Sequence, residues 1–222
     1  MGHIVKILMT EFVTYNVKRF ILEKPANFKF IPGQATDLSI NLPKWKSETR
    51  PFTFTSLNND LVLEFTIKCY PEHNGVTKKL HELIPGNELI IRDPFGTINY
   101  KGTGTFIAGG AGITPFIAIL RQLKKENKLK GNRLIFSNKL KKDIILEKEF
   151  IEMFPKEDLI FTLTEEKIEG YENSTIDKEF LKKHIKNLNQ FFYICGPPGF
   201  VKSIKEILKS MGANKDILVI EA

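Results

Sequence analysis

The sequence predicts two domains, a six-stranded antiparallel β-barrel followed by an α/β domain built on a parallel sheet. Up to about residue 100, short segments rich in β-branched and aromatic residues alternate with turn signals such as Pro-Gly. Beyond that point, short apolar segments alternate with amphipathic helical patterns. The length of 222 residues suits two domains of about 100 residues each. We therefore expect domains at 1–100 and 101–222, with the boundary in the segment 99–105.

The first half contains six predicted strands and one helix. The strands are HIVKIL, VKRFILE, ATDLSINL, RPFTFTSL, DLVLEFTIK and NELIIRD. Strands at this spacing indicate an antiparallel barrel. The segment GVTKKLHELI is a predicted helix, because Val76, Leu80, Leu83 and Ile84 form one apolar stripe.

The second half contains five predicted strands, of which the first four are each followed by a helix. The strands are TFIA (105–108), RLIFS (133–137), LIFTLT (159–164), FFYIC (191–195) and ILVI (217–220). The first helix carries apolar residues from Ile113 to Leu123, and the fourth carries apolar residues from Phe200 to Met211. The second and third helices are predicted around 143–153 and around 177–187. This alternation predicts parallel strands with helices on both faces, and such sheets bind ligands at the carboxyl ends of their strands.

The composition narrows the class of protein. With 42% hydrophobic and 27% charged residues, the chain is typical of a soluble globular protein. No apolar run reaches the roughly 18 residues that span a bilayer, and the N-terminus does not resemble a secretory signal, so the sequence predicts a cytoplasmic protein. Cys69 and Cys195 form no disulfide framework, and the spacing of the histidines predicts no metal site.

The formal net charge is +7, from 33 basic and 26 acidic residues. This excess is consistent with a solvated lysine-rich surface, and it also favours an acidic partner, either a nucleotide phosphate or an acidic protein. Nucleic acid is a weaker hypothesis, because no aromatic residues interleave with the lysine clusters to form a base-stacking surface.

Two glycine-rich turns lie where the predicted parallel sheet would bind ligands. In AGGAGITPF (108–116), the glycines permit a sharp turn and close approach of a ligand, with Thr114 expected as N-cap and Pro115 as the first helical residue. A diphosphate could bind such a helix start, although a tight turn without a ligand has the same pattern. In YICGPPGF (193–200), Cys195 ends a strand and Pro198 could start a helix. No histidine base accompanies Cys195, which argues against a thiol nucleophile.

The segment RPFTFTS (50–56) places an arginine, an aromatic ring and a hydroxyl close together on one predicted strand. RPFT, GGAGITPF and YICGPPGF, in this order and across the change from β to α/β patterning, resemble the ferredoxin–NADP reductase superfamily. The resemblance covers nearly the whole chain. It implies a flavin-binding barrel and a Rossmann-like NAD(P)-binding domain, with FAD preferred over FMN because the diphosphate-binding segments are present.

The resemblance also implies which residues contact the flavin. Arg50 would pair with the flavin diphosphate through its forked guanidinium, and Phe52 would stack on the isoalloxazine ring. Phe52 replaces the usual tyrosine of the family, which removes one hydroxyl. Thr53 would lie near flavin N5. The remaining flavin-contacting positions implied by the family are Pro51, Ile67, Lys68, Gly75, Val76 and Thr77.

On the nicotinamide side, the resemblance implies diphosphate contacts from the first glycine-rich turn, namely Gly110, Gly112, Ile113, Thr114 and Pro115. Cys195, Gly196 and Pro197 would line the nicotinamide pocket. The resemblance implies that Thr53, Cys195 and Glu221 lie near the reacting atoms, and for Glu221 a solvated carboxylate without such a role is an equal alternative. After the second strand of this domain no acidic residue is visible, and Ser137, Lys139 and also Lys141 could receive a 2′-phosphate, so the sequence favours NADPH over NADH.

The implied activity is hydride transfer from NAD(P)H to FAD, followed by transfer of single electrons to a separate carrier. The positive charge favours an acidic carrier such as ferredoxin or flavodoxin, and a monomeric enzyme is expected. Alternatives are the reductase component of an oxygenase, a free-flavin or ferric reductase, and a non-catalytic NAD(P)-sensing module.

Overall fold

The computed structural model describes residues 2–96 and 98–220. The chain divides into two compact units, one formed by Met1–Asn99 with Thr114–Gln122 and the other by Tyr100–Ile113 with Leu123–Ala222. No pattern in the sequence indicates that Thr114–Gln122 groups with the first unit, because that grouping depends on packing between segments far apart in the chain.

The first unit contains a six-stranded sheet in which all neighbouring strands pair antiparallel, in the order β4-β3-β6-β1-β2-β5. The strands are β1 (His3–Thr14), β2 (Val17–Glu23), β3 (Ala35–Ile40), β4 (Arg50–Thr53), β5 (Val62–Lys68) and β6 (Glu88–Ile91). An antiparallel bridge between Phe54 and Phe65 joins the two outer strands. The sheet therefore closes into a barrel, which confirms the predicted architecture.

Aromatic side chains fill the barrel interior. Phe20, Phe54 and Phe65 are fully buried, and the rings of Phe30 and Phe54 stack with their centroids 4.3 Å apart. The predicted helix is α1 (Val76–Glu82), which contributes the buried side chains of Val76 and Leu80 to the same core.

The predicted apolar stripe of α1 is one residue too long. Leu83 is buried, but Ile84 is 63% exposed. The helix ends at Glu82, and Leu83 is already in an extended conformation. Ile84 therefore leaves the helical period and points away from the core.

The second unit contains a five-stranded sheet, and all its strands pair parallel in the order β11-β10-β7-β8-β9. The strands are β7 (Gly104–Gly109), β8 (Arg133–Asn138), β9 (Leu159–Leu163), β10 (Phe191–Cys195) and β11 (Leu218–Ile220). From β7 the chain adds β8 and β9 on one side of the sheet, and then β10 and β11 on the other side. The strand order thus reverses between β7 and β10, and open α/β sheets bind ligands at such a point.

The helices of the α/β part are α2 (Thr114–Lys125), α3 (Glu147–Met153), α4 (Lys178–His184) and α5 (Pro198–Met211). Residues from α4 and α5 pack on one face of the five-stranded sheet, in a cluster with Ile107 and Ile135. On the opposite face, Phe136 of β8 meets Phe150 of α3 edge to face. The prediction of helices on both faces is thus confirmed.

Two helix starts differ from prediction, and the start of α4 agrees with it. A 3-10 turn at Gly110–Ile113 runs directly into α2, so Thr114 is the first α-helical residue and not the N-cap. The helix predicted around 143–153 begins only at Glu147, and a 3-10 turn at Lys141–Asp143 precedes it. Asp177 is the N-cap of α4, and its carboxylate accepts a hydrogen bond from the Phe180 amide. Across the described part of the chain, no helix combines the length and the apolar character needed to cross a bilayer.

Candidate functional site

The barrel has a partly open seam between β4 and β5, the two outer strands of its sheet. The seam is closed where Phe54 bridges Phe65 and where the Thr55 amide donates to the Glu64 carbonyl over 2.8 Å. Among the described residues, no ladder pairing joins Arg50–Thr53 to the end of β5. Main-chain hydrogen-bonding groups at such an edge need other partners, so the seam can accept a polar planar ligand.

Arg50 lies at the start of this open edge. Its guanidinium donates to the Thr49 carbonyl over 2.6 Å and lies 4.0 Å from the Glu48 carboxylate, and its side chain is 53% exposed. An exposed ion pair at this distance is weak. The fork of Arg50 is therefore available to a phosphate, as the resemblance implies.

Phe52 and Thr53 follow Arg50 along β4. Both are half-buried, and the Phe52 ring packs against the edge of the barrel core, as does Trp45 from the preceding loop. Pro51 is exposed. An aromatic ring that packs against the core and remains partly exposed is suited to stacking on a flavin ring.

The other positions that the resemblance predicts to contact a flavin lie at the end of β5 and the start of α1. Gly75 is the N-cap of α1 and contributes no side-chain cap, and the first turn of this helix contains no acidic residue. Thr77 is half-buried, whereas Val76 is a core residue, so a ligand could contact only the main chain of Val76.

His81 of α1 connects these two segments. Its Nε2 lies 2.9 Å from the Ile67 carbonyl, near the end of β5. Burial lowers the pKa of His81, the Lys18 ammonium lowers it further, and the hydrogen bond to Ile67 opposes both. Nothing in the sequence marked His81, because its partner is set by how α1 packs on the barrel.

The two glycine-rich turns of the second unit lie side by side. Cys195 pairs with Ala108 in register, so β7 and β10 end next to each other at the point where the strand order reverses. A Cβ on Gly112 would lie 2.4 Å from the Cys195 carbonyl oxygen, and a Cβ on Gly196 would lie 2.7 Å from the Phe200 ring. The main chains of the two turns are thus in direct contact.

These distances separate the glycines that packing requires from the glycine whose main chain is open. Gly109 faces the Phe200 ring, with 3.1 Å to a built Cβ, and Gly112 faces the Cys195 main chain, so both are required by packing. Gly110 has a φ of +54° and no atom within 4 Å of a built Cβ. Its main chain is therefore the part of the turn that a diphosphate can approach closely.

The other predicted residues of these turns differ in accessibility. Ile113, Pro115 and Cys195 are buried, so any dinucleotide contact from the first two would be through the main chain. Thr114 and Gly196 are half-buried, and Pro197 is exposed and forms the N-cap of α5, with Pro198 as the first helical residue as predicted. Glu221 lies outside the described residues.

The end of β8 differs from the sequence-based prediction. Lys139 does not lie among basic groups alone, because its Nζ is 2.7 Å from the Glu165 carboxylate. The hydrogen bond and the charge of Glu165 raise the pKa of Lys139. Glu166 accepts a 2.7 Å hydrogen bond from the Lys141 amide, and Lys141 Nζ lies over the Tyr171 ring. Acidic residues are thus present, and they come from the loop after the neighbouring strand β9.

Ser137, at the end of β8, pairs in register with Gly109 of β7 and is 9% exposed. It therefore lies at the edge where the predicted dinucleotide would bind, but its side chain is largely covered. In the described residues, no group of three or more His, Cys, Asp or Glu side chains forms a candidate metal site.

Comparison with known proteins agrees with this geometry. The family model of the oxidoreductase FAD-binding domain matches residues 5–100, and the family model of the oxidoreductase NAD-binding domain matches residues 106–206. The chain is 30% identical over 222 aligned residues to NADH-cytochrome b5 reductase 1 of Kluyveromyces lactis, and the match covers 91% of this chain and 78% of that protein.

Two solved structures share the fold. The CS-b5R domains of human Ncb5or in the NAD+ form superpose with a TM-score of 0.87 at 23% identity, covering 100% of this chain and 70% of that one. A ferredoxin NADP+ reductase from Neisseria gonorrhoeae with bound FAD and NADP gives a TM-score of 0.84 at 18% identity, covering 99% and 98%.

The barrel and the parallel sheet, each with its own candidate nucleotide site, define a two-domain flavin- and nicotinamide-dependent reductase. The chain belongs to the ferredoxin–NADP reductase superfamily. It is an FAD-dependent oxidoreductase that transfers electrons from a nicotinamide dinucleotide to FAD and on to an electron carrier.

Proposed function

We propose that this protein is an NADH-specific reductase that delivers electrons through FAD to a small acidic carrier protein. The open seam between β4 and β5, lined by Arg50, Phe52 and Thr53, is the observation that carries the flavin assignment. Bound FAD would take a hydride, which is two electrons and one proton, from NADH, leaving NAD+, and would release its electrons one at a time. In this proposal, residues 1–100 bind FAD and residues 101–222 bind the dinucleotide.

The side chains of the protein would bind the two cofactors and orient them for hydride transfer. Arg50 would hold the FAD diphosphate with its forked guanidinium, and Phe52 would support one face of the isoalloxazine ring. The Thr53 hydroxyl would fix the orientation of the ring near N5. Nicotinamide C4 must come within about 3–3.5 Å of N5 for hydride transfer, so small displacements of either binding segment would slow the reaction.

The dinucleotide would bind at the two adjoining turns of the second unit. The open main chain at Gly110 would approach the diphosphate, while Gly196 and Pro197 would contact the nicotinamide end. Cys195 would act as a buried wall of this pocket, because it is only 7% exposed and ends a central strand.

Glu165 favours NADH over NADPH. Its carboxylate neutralises Lys139, one of the groups predicted to bind a 2′-phosphate, and it would repel that phosphate. The relatives of this chain that are named NADH-cytochrome b5 reductases support the same choice.

The coenzyme preference can be tested with Glu165→Gln. This variant frees Lys139, so the ratio of kcat/KM for NADPH to that for NADH should rise by about tenfold. Glu169→Gln is the matched control, because Glu169 is an exposed acid on the same loop. An unchanged ratio in Glu165→Gln, or an equal rise in both variants, would refute the role of Glu165.

The acceptor is proposed to be a small acidic carrier, and cytochrome b5 is the first candidate because the relatives are named for it. The net charge of +7 would attract such a protein. Ferredoxin and flavodoxin are the second candidates, on charge alone. Reduction rates for the three carriers should fall steeply as ionic strength rises, whereas the rate with a small acceptor such as ferricyanide should change much less.

One experiment separates these proposals from the alternatives. The purified protein should be yellow, and anaerobic NADH should bleach its flavin absorbance. A colourless protein that reduces added free flavin would indicate a free-flavin reductase. A protein that binds NADH but reduces neither flavin nor ferricyanide would indicate a sensing module and would contradict the proposed function.

A further inference from the structure

Arg121 of α2 clamps that helix onto the barrel. It belongs to the segment Thr114–Gln122, which is part of the first unit. Its Nη1 donates to the Glu64 carboxylate over 2.6 Å and to the Thr55 carbonyl over 2.7 Å. One guanidinium nitrogen thus binds both Glu64, which lies 57 positions earlier in the chain, and Thr55, which lies 66 positions earlier.

The acceptor side of this clamp is buried. Glu64 is 8% exposed, and the oxygen that binds Arg121 also accepts a 2.7 Å hydrogen bond from the Thr55 hydroxyl. The other oxygen lies 3.8 Å from Arg19, which also pairs with Glu11. A buried carboxylate needs close compensation of its charge, and Arg121 provides the shortest ionic contact.

The clamp lies next to residues of the proposed flavin site. Thr55 is two residues beyond Thr53, and the intervening Phe54 forms the bridge that closes the barrel. On α2, Thr114 precedes Arg121 by seven residues, which is about two helical turns or 10 Å. Residues at this spacing share one helix face, so the face that Arg121 fixes begins at a proposed dinucleotide-binding residue.

We infer that Arg121 is a positioning residue for hydride transfer. It holds the helix face that begins at Thr114 in fixed register with the strand segment Thr53–Thr55, through the Thr55 carbonyl and Glu64. This inference rests on the proposed function. It assigns Arg121 no contact with either cofactor, and the effect of its loss is a displacement of groups that bind them.

The test uses Arg121→Met in the FAD-loaded protein. Stopped-flow bleaching of the flavin by NADH should show a limiting rate constant about 10- to 100-fold below the wild-type value, the effect of a displacement of roughly 1 Å. The NADH dissociation constant from the same titration should change far less. Hydrogen exchange at the first turn of α2 should accelerate, which is a readout independent of turnover.

Arg133→Met is the matched control. Arg133 is also a partly buried arginine that donates to a main-chain carbonyl, that of His184, and pairs with a carboxylate, Asp158 at 3.3 Å. It begins β8, at the end of the strand opposite the proposed dinucleotide site. Its replacement should destabilise the fold without lowering the limiting rate constant.

A second variant separates positioning from stability. Arg121→Met/Glu64→Leu removes both charges from the interior, so its thermal stability should recover relative to Arg121→Met, while its rate constant stays low because nothing binds the Thr55 carbonyl. The double variant also tests the inference if Arg121→Met by itself fails to fold. The inference is overturned if either variant is bleached at the wild-type rate, or if the rate recovers together with stability. A wild-type protein that is not bleached by NADH would instead overturn the proposed function, and this inference with it.

Discussion

Replacing Gly112 with alanine should separate the two turns that form the proposed dinucleotide site. A Cβ at this position would lie 2.4 Å from the Cys195 carbonyl oxygen and 2.5 Å from the Gly196 nitrogen, whereas ordinary contacts are 3.4 Å or longer. One turn must therefore move by about 1 Å. Both obstructing atoms are main chain, so no side-chain rotation can relieve the contact.

The expected cost follows from this displacement. Overpacking of this kind destabilises a protein by about 1–3 kcal/mol, and each kcal/mol lowers the Tm of a chain this long by about 2–4 °C. Misplacement of a binding segment by about 1 Å should lower kcat/KM for NADH by up to about 100-fold. Differential scanning fluorimetry and steady-state reduction of ferricyanide by NADH measure the two effects.

Gly199→Ala provides the control. Gly199 lies in the first turn of α5 with no atom within 4 Å of a built Cβ, so alanine there should leave the rate unchanged and the Tm equal or higher. If Gly112→Ala behaves like Gly199→Ala in both assays, the contact between the two turns does not have the role assigned to it.

Two further predictions concern groups outside the ligand sites. Tyr193→Phe should lower the free energy of unfolding by about 1–3 kcal/mol, measured by chemical denaturation. The reason is that the buried Tyr193 hydroxyl accepts hydrogen bonds from the main-chain amides of residues 101 and 102. A loss below about 0.5 kcal/mol would contradict this. Lowering the pH below 6.5, the ordinary pKa of histidine, should reduce stability, because His81 has a lowered pKa when folded and the unfolded chain then binds more protons. His81→Gln, which keeps a donor for the Ile67 carbonyl, should flatten this dependence in a series of Tm measurements between pH 8 and pH 5, and an unaltered slope would count against it.

Local patterns in the sequence were sufficient to predict the elements of both folds. Segments rich in β-branched and aromatic residues, separated by turn signals such as Pro-Gly, predicted all six barrel strands, and the apolar pattern predicted α1, α2 and α5. These signals are local, because each depends only on the backbone preferences and the burial of one short segment. Helix ends were less accurate: Ile84 and Thr114 lie where a cap or a 3-10 turn, not the apolar period, sets the boundary.

Contacts between distant segments were decided only by the tertiary structure. The sequence shows no acidic residue directly after β8, but in the structure Glu165 reaches Lys139 from the end of the neighbouring strand, 26 residues later. The pairing of Arg121 with Glu64 depends likewise on α2 lying against the barrel. The sequence alone determined which segments form strands, helices and glycine turns, because those choices are made locally. Which charges neutralise one another was decided by strand order and helix packing, since ionic contacts depend on proximity in space and not along the chain.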